Sequence, residues 1–196
     1  MIEVERKFLL EDKDEAPLIQ GAKFLSDKTF TDTYYDTKDY RLTTQDWWLR
    51  ERDGKWELKV AMRKRGGRGE QFVDQYDELD DEKEILQKLG LPPGDIRESL
   101  SKNGYESFCT ITTTRRKYQR DDFVIDFDLV NYGYNIVEIE AQVENKEQIP
   151  AATEKILSFA KQYGLKTGYV RGKVIEYLRR KNLKHYQALV DSGVVV

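Results

Sequence analysis

The chain of 196 residues contains 33 Lys and Arg residues against 36 Asp and Glu residues, a net charge of −3, with one cysteine and one histidine. The single cysteine, Cys109, excludes an intrachain disulfide, and the single histidine, His185, argues against a histidine-based metal site. The acidic balance, and the lack of any apolar run of about 18 residues, lead us to expect neither nucleic-acid nor membrane partners. We expect one domain over residues 1–196, and a cytoplasmic monomer.

Most of the chain up to residue 145 alternates between apolar and polar residues, which is the pattern of strands that bury one face. In the first strand, Ile2, Val4 and Phe8 would lie on one face and the charged residues between them on the other. The dipeptide Asp53-Gly54 predicts a two-residue hairpin turn. The predicted strands lie at residues 2–8, 31–36, 47–52, 55–60, 70–78, 108–119, 123–129 and 137–143.

Helical periodicity is confined to a few segments, most of them late in the chain. A short basic stretch at 63–68 contains two glycines and is interpreted as a loop. Many strands with few helices predict an antiparallel α+β fold, with the strands mostly within 1–145 and C-terminal helices within 150–192. The predicted helices are 81–89, 95–102, 151–163, 173–181 and 185–190.

Pairs of like charge recur on the polar faces of the predicted strands. Arg50 and Arg52 form a basic pair, and Lys59 lies on the next strand. The acidic pairs are Glu3 with Glu5, Asp126 with Asp128, and Glu138 with Glu140. Like charges side by side are costly unless an opposite charge lies between them. An exposed polar face is the alternative interpretation, but a closed barrel that holds a cation and phosphate groups would explain the pairs. Oxygen ligands alone favour Mg²⁺ or Mn²⁺.

A series of short motifs resembles the CYTH superfamily of triphosphate tunnel enzymes. The run from Ile2 to Phe8, IEVERKF, is similar to the ExExK signature of that superfamily. The remaining motifs follow in the family's order: DTYYDT at 32–37, WLRER at 48–52, WELK at 56–59, DFD at 126–128, YGY at 132–134, VEIEA at 137–141 and KVIEYL at 173–178. The similarity is greatest to the animal-type thiamine triphosphatases, which share the tryptophan before Leu-Arg-x-Arg and the run Trp-Glu-Leu-Lys.

The resemblance implies an eight-stranded antiparallel barrel that forms a tunnel for a small-molecule triphosphate, with helices at its flanks. It implies a site for Mg²⁺, or alternatively Mn²⁺, made by Glu3, Glu5, Asp126, Glu138 and Glu140. It implies that the triphosphate is bound by Lys7, Arg50, Arg52, Lys59, Arg115 and Lys173, with Glu138 also contacting it. We expect catalysis to depend most on Glu3, Glu5, Lys59 and Glu138.

Three assignments carry alternatives. Arg116 and Lys117 directly follow Arg115, so a shift by one residue would change the choice of phosphate ligand. Asp128 and Glu78 are acids of second rank, whose equivalents in the family are less firmly ligands. These alternatives concern individual residues and leave the predicted fold unchanged.

Trp48 bears on the choice of substrate. It shares a strand face with Arg50 and Arg52, whereas Trp47 lies on the opposite, apolar face. An indole face attracts organic cations such as a thiazolium ring. We therefore expect hydrolysis of thiamine triphosphate to thiamine diphosphate and phosphate, with Trp48 among the substrate-binding residues. The alternatives are a core role for Trp48, an inorganic triphosphatase, a class IV adenylyl cyclase or a non-catalytic polyphosphate-binding module. Cys109 is interpreted as a core residue.

Overall fold

The computed structural model describes residues 2–11, 14–61 and 76–195, with the backbone alone for Glu3. Within these residues the chain forms eight strands: β1 Ile2–Leu9, β2 Lys23–Thr37, β3 Trp47–Arg52, β4 Lys55–Ala61, β5 Tyr76–Leu79, β6 Tyr105–Arg120, β7 Phe123–Val130 and β8 Ile136–Val143. The same residues form six α-helices: α1 Glu15–Ile19, α2 Glu82–Lys88, α3 Ile96–Lys102, α4 Ile149–Gln162, α5 Lys173–Lys181 and α6 Leu183–Asp191.

The eight strands belong to one sheet in the order β1-β8-β7-β6-β2-β3-β4-β5. Neighbouring strands pair antiparallel at both ends of this order, from β1 to β6 and from β2 to β5. Where β2 meets β6, Thr29 contacts Thr114 and Thr31 contacts Thr112. Residue numbers therefore rise along β2 as they fall along β6, so these two strands are also antiparallel. The predicted α+β fold with eight antiparallel strands and flanking helices is confirmed.

The chain falls into two compact units. The first consists of residues 2–11, 14–29 and 113–173 among those described, and the second of residues 30–61, 76–112 and 174–195. Long strands β2 and β6 contribute to both. The prediction of one domain over residues 1–196 stays a prediction.

The core of the first unit lies between the apolar faces of β1, β7 and β8 and the amphipathic helix α4. Alternate apolar residues of these strands enter this core, as predicted, so every second side chain is left for the opposite face. Core members include Val4, Phe8, Ile125, Phe127, Val137, Ile139, Ile156 and Phe159.

The core of the second unit is built in the same way by β3, β4, α2 and α3. Asp53 and Gly54 have φ angles of 50° and 81°, which form the tight turn predicted between β3 and β4. Helices α2 and α3 begin after Asp81 and Asp95, whose side chains accept hydrogen bonds from the first-turn amides. Core members include Leu49, Trp56, Leu58, Ile85, Leu86 and Leu100.

Some elements differ from the prediction. Strand β2 begins at Lys23, eight residues before the predicted start, and the five-residue helix α1 was not predicted. Helix α4 begins at Ile149, with Pro150 in its first turn, where a missing amide donor costs nothing. The predicted loop at 63–68 and the first part of the strand predicted at 70–78 lie outside the described residues. In the part of the chain described, no helix is both long and apolar enough to cross a membrane.

The histidine of the second unit is expected to lower stability as the pH falls. His185 is buried on α6, bonded through Nε2 to the Thr43 hydroxyl at 2.7 Å and stacked on Tyr40. Burial lowers its pKa from 6.5 to about 4, although Asp36 acts in the opposite direction. Below pH 6.5 the His185 imidazole binds a proton in the unfolded chain, whereas in the folded chain it stays neutral down to about pH 4. The free energy of unfolding should therefore fall by about 2 kcal/mol across this window.

Urea unfolding of the parent protein and of His185→Gln, each at pH 7 and pH 4.5, measures this contribution. Carboxylates that titrate in the same range affect both proteins equally, so the difference between their two pH effects isolates the imidazole. An identical loss of stability in the two proteins would show that His185 is not its source.

Candidate functional site

Charged residues of the first unit are aligned across four neighbouring strands. Lys7 of β1 pairs with Glu138 of β8, which pairs with Asp126 of β7, which pairs with Lys117 of β6. Glu5 pairs with Glu140 one step along the same face of β1 and β8. The apolar residues between these positions are in the core. The register therefore brings Glu5, Asp126, Glu138 and Glu140 together with Lys7 and Lys117 on one face of the sheet.

Arg115 is the centre of this charged group. Its Nη1 lies 2.5 Å from Asp126, its Nε and Nη2 bind Asp128 at 2.6 and 2.7 Å, and its Nη2 donates to Glu138 at 2.5 Å. Burial alone would lower the pKa of Arg115, but the three carboxylates outweigh this and raise it. A guanidinium presents five donors in a rigid fork, so it can satisfy several acids at once.

The two neighbours that were alternatives to Arg115 lie on different faces of β6. Arg116 points to the other face and forms an ion pair with Glu15 of α1 at 2.5 Å. Lys117 is on the same face as Arg115 and lies 3.1 Å from Asp126 and 3.5 Å from Glu140. Lys117 was not among the predicted site residues, although its spacing of two from Arg115 places it on the same strand face.

Three carboxylates of the group could hold a cation. Oxygens of Glu5, Glu138 and Glu140 all lie within 4.8 Å of one another. Oxygen donors in such proximity fit a hard divalent cation, because like charges repel unless a cation lies among them. The side chain of Glu3, also a predicted ligand, lies outside the described part of the chain.

Asp126 of β7 pairs with Glu138, one member of this trio, across the neighbouring strand. It is fully buried, and burial raises its pKa even though Arg115 and Lys117 act to lower it. Neither carboxylate oxygen makes a well-oriented hydrogen bond within the described residues, although both bases form ion pairs with it. A buried carboxylate that lacks oriented donors is suited to a further positive partner.

The remaining predicted bases of the first unit also contact acids. Lys7 Nζ contacts Glu5 Oε1, and Lys173 Nζ contacts Asp128 Oδ2. Asp128, an acid of second rank in the prediction, is fully buried and forms ion pairs with both Arg115 and Lys173. Neighbouring carboxylates and bases thus offset each other's charge on this face.

The predicted arginines of the second unit share one buried acid. Arg52 Nε and Nη2 bind Asp32 at 2.6 and 2.9 Å, and Arg50 Nη1 lies 3.5 Å from the same carboxylate. Arg50 also binds Glu57 across the hairpin at 2.7 Å. Burial alone would lower the pKa of Arg50, but Tyr34, Asp32 and Glu57 raise it. The Arg50 guanidinium therefore remains charged, and the carboxylates hold both arginines in position.

Lys59 and Glu78 of the second unit form a pair. Lys59 Nζ contacts Glu78 Oε1 and lies 3.9 Å from Glu57. The backbone register places Trp48, Lys59 and Glu78 opposite one another on β3, β4 and β5. The predicted phosphate ligands of this unit, Arg50, Arg52 and Lys59, are thus each accompanied by a carboxylate.

The two neighbouring tryptophans lie on opposite faces of β3, as predicted. Trp47 packs against the apolar core of the second unit. Trp48 is only 5% exposed and donates its indole N–H to Asp46 at 2.8 Å, and the Tyr76 hydroxyl donates to the same oxygen at 3.0 Å. The Trp48 ring is therefore held firmly, with little surface accessible to solvent.

Cys109 matches its interpretation as a core residue. It is buried on β6, and burial raises the pKa of its thiol. A thiol that stays protonated is a poor nucleophile, so Cys109 contributes no covalent chemistry.

Comparisons with known proteins agree with this architecture. The family profile described as "CYTH domain" matches residues 1–171. The thiamine-triphosphatases of Macaca fascicularis and Homo sapiens are each 32% identical to the chain over 211 aligned residues, which cover 97% of this chain and 90% of each relative.

Solved structures show the same fold at lower identity. A protein of Pyrococcus horikoshii superposes with a TM-score of 0.68 at 22% identity, over 92% of this chain and 99% of its own. A Hippeastrum protein, proposed to be an adenylyl cyclase and described as having a dominant triphosphatase activity, superposes with a TM-score of 0.61 at 16% identity, over 94% and 98% of the two chains. On the profile match and the identity to its relatives, the chain belongs to the CYTH domain family.

Proposed function

We propose that the protein is a Mg²⁺-dependent phosphohydrolase that removes the terminal phosphate of thiamine triphosphate, giving thiamine diphosphate and inorganic phosphate. The observation that carries this proposal is the group of carboxylates and bases in the first unit, where Glu5, Glu138 and Glu140 lie close together beside Arg115. The 32% identity to two thiamine-triphosphatases supports the choice of substrate.

The metal site in this proposal is formed by Glu5, Glu138 and Glu140, with Glu3 and Asp126 completing the predicted set. A bound Mg²⁺, or Mn²⁺ in its place, would neutralise phosphate charge and make a water molecule more acidic. The carboxylates would hold and orient the cation, and the burial of Asp126, Glu138 and Glu140 would limit competing water. Glu138 has a second task, because its contact with Arg115 links the metal ligands to the bases.

Phosphate binding in this proposal is the task of the bases. Lys7, Arg115 and Lys173 belong to the first unit, and Arg50, Arg52 and Lys59 belong to the second. Each contacts a carboxylate, and an ammonium or guanidinium can share its donors with a phosphate oxygen through bonds of similar strength. Phosphoryl transfer needs positioning and charge neutralisation more than covalent participation, so the proposed site needs no nucleophilic side chain.

A second candidate function is the hydrolysis of inorganic tripolyphosphate. It would use the same carboxylates and bases and would need no recognition of an organic group. Trp48 has little exposed surface and donates its N–H to Asp46, as a purely structural tryptophan would. Both observations favour the second candidate, because it assigns Trp48 no role in binding the substrate. Cytoplasmic location and a monomeric state stay predictions.

Phosphate release from thiamine triphosphate, tripolyphosphate and ATP, each with Mg²⁺, with Mn²⁺ and with a chelator, tests the proposal. We expect metal-dependent release that is fastest, by kcat/KM, from thiamine triphosphate. A preference for tripolyphosphate would support the second candidate. Full activity in the chelator, or release from none of the three compounds, would refute both.

Replacing Trp48 by alanine is expected to reduce activity on thiamine triphosphate selectively. A thiazolium ring against an indole gains about 0.5–2 kcal/mol, which corresponds to roughly a few-fold to thirty-fold in kcat/KM. Tripolyphosphate has no ring and should lose much less. Steady-state kinetics on both substrates measure the change in preference.

Trp47→Ala is the matched control, since it removes the neighbouring indole from the core face. It should lower the free energy of unfolding by about 2 kcal/mol and leave the preference between the substrates unchanged. Equal losses on both substrates in Trp48→Ala would show that this residue is structural and would favour the inorganic triphosphatase.

A further inference from the structure

The motif Tyr132-Gly133-Tyr134 forms the turn between β7 and β8, and the proposed function leaves it without a role. Gly133 has a φ of 72°, a conformation that an L side chain rarely adopts, so the chain can reverse direction within the five residues that separate β7 from β8. The turn presents two tyrosines on the same side, with their rings stacked at 6.2 Å and an angle of 11°. Both hydroxyls are directed at one segment of the chain, which consists of the irregular connector before α5 and the first residue of that helix.

Each tyrosine hydroxyl donates to a backbone carbonyl of that segment. Tyr132 Oη donates to the carbonyl of Lys173 at 2.5 Å, and Tyr134 Oη donates to the carbonyl of Arg171 at 2.9 Å. The two donors and the two acceptors are both spaced by two residues, so the turn binds the segment at two successive points. Arg6 adds a third bond, to the carbonyl of Thr167 at 2.8 Å.

The segment held in this way carries a predicted phosphate ligand at an unusual position. Lys173 is the first residue of α5, where the helix dipole opposes a positive charge. The basic residues Arg179, Arg180 and Lys181 lie in the last turn, where the dipole favours them. Helix stability therefore does not explain the lysine at position 173.

Lys173 is instead fixed at both of its ends. Its Nζ contacts Asp128 Oδ2, and its carbonyl accepts the Tyr132 hydroxyl. Asp128 and Tyr132 belong to the same strand and its following turn, so a single element sets both ends of the residue. A lysine otherwise gives up considerable side-chain freedom when it binds a ligand, and prior fixation removes much of that cost.

We propose that Tyr132 and Tyr134 are positioning residues that hold the Lys173 ammonium ready for a phosphate group of the substrate. We call the two hydroxyl–carbonyl bonds the tyrosine clamp. The inference rests on the proposed function, since Lys173, which the clamp holds, is one of the bases proposed to bind the triphosphate. If the tyrosines only stabilised the chain, their loss would not affect substrate binding, whereas we expect the loss of either hydroxyl to weaken binding through Lys173.

The experiment compares Tyr132→Phe, Tyr134→Phe and Lys173→Ala with the parent, and combines each tyrosine variant with Lys173→Ala. Tyr118→Phe is the matched control, a partly buried tyrosine of the same unit that packs on Phe24 and Phe127 through its ring. KM and kcat for thiamine triphosphate and tripolyphosphate are measured with a thermal melt of every variant. Acetylation of Lys173 by an amine-reactive reagent, with and without tripolyphosphate, is followed by mass spectrometry.

We expect each Tyr→Phe variant at 132 and 134 to raise KM for both substrates about three- to ten-fold, with a smaller change in kcat, since prior fixation acts mainly on binding. Lys173 should be acetylated faster in these variants, and tripolyphosphate should protect it less. In the Lys173→Ala background the same substitutions should change KM less than two-fold. Tyr118→Phe should behave as the parent.

Two results would overturn the inference alone: Lys173→Ala raises KM but the tyrosine variants do not, or the tyrosine variants act just as strongly when Lys173 is already absent. An unchanged KM in Lys173→Ala would also overturn it, and would remove Lys173 from the proposed substrate site. If the parent releases phosphate from neither compound, the proposed function fails as well, whereas faster acetylation of Lys173 in the tyrosine variants would still support the clamp itself.

Discussion

Glu138→Gln is expected to lower kcat at least about 100-fold, because it removes a charge that the transition state needs in place. Glutamine keeps the volume of the side chain and one acceptor oxygen. It cannot help to balance a divalent cation with Glu5 and Glu140, whose oxygens lie within 4.8 Å of those of Glu138. Arg115 retains Asp126 and Asp128 as partners, so the fold should survive.

Three measurements check this expectation: kcat on the preferred substrate, the Mg²⁺ concentration that gives half of the maximal rate, and the melting temperature. Glu140→Gln should raise the Mg²⁺ requirement as well. Glu144→Gln is the control, since it neutralises an exposed acid just beyond the end of β8. If Glu138→Gln turned over substrate near the parent rate in Mg²⁺, the assignment of this group as the metal site would be wrong.

Strand periodicity predicted the fold well wherever one face of a strand is buried. In β4, Trp56, Leu58 and Val60 are all buried, so the alternation is plain in the sequence. The first part of β2 carries exposed residues in both orientations, including Phe24 and Leu25. It is a strand because β6 supplies hydrogen-bond partners, and a single sequence does not reveal a partner that lies about 85 residues away.

The candidate site was predictable as a set of charges, but not as a set of pairs. The recurring acidic pairs indicated Glu5, Glu138 and Glu140, and the structure brings these three together. Which base meets which acid depends on strand register, because a shift of one residue turns every side chain to the other face. For this reason the sequence could not exclude Arg116, and it left Lys117 out of the site.

Asp32 shows what the sequence concealed in the second unit. It lies within the motif DTYYDT and had no role in the sequence analysis. In the structure it is 1% exposed, and its carboxylate binds Arg52 and faces Arg50. A buried acid between two arginines offsets their repulsion and fixes both, which a list of conspicuous like-charge pairs does not show. Any substitution of one arginine therefore also changes the surroundings of the other.

Arg50→Ala is expected to lower kcat/KM about 100-fold, and Arg50→Lys should recover only part of the loss. The guanidinium is held between Glu57 at 2.7 Å and Asp32 at 3.5 Å, and only 12% of its side chain is exposed. A planar fork can bind a carboxylate and a phosphate oxygen at the same time, whereas an ammonium is a compact point charge without that geometry. Arg52 keeps its bidentate bond to Asp32 in both variants, so the acid is not left unpaired.

Arg97→Ala is the matched control for this prediction, because it removes another guanidinium of the second unit. Arg97 is largely exposed and pairs with Glu51 at 2.9 Å, a residue that lies on the face of β3 opposite Arg50. Its loss should change kcat/KM by less than two-fold, as is usual for a surface ion pair. Kinetics on both triphosphates, with a melt of each variant, separate loss of binding from loss of fold. Near-parental kinetics in Arg50→Ala would mean that this arginine only ties β3 to its neighbours, and equal activity of the lysine and parent proteins would remove the need for bidentate geometry.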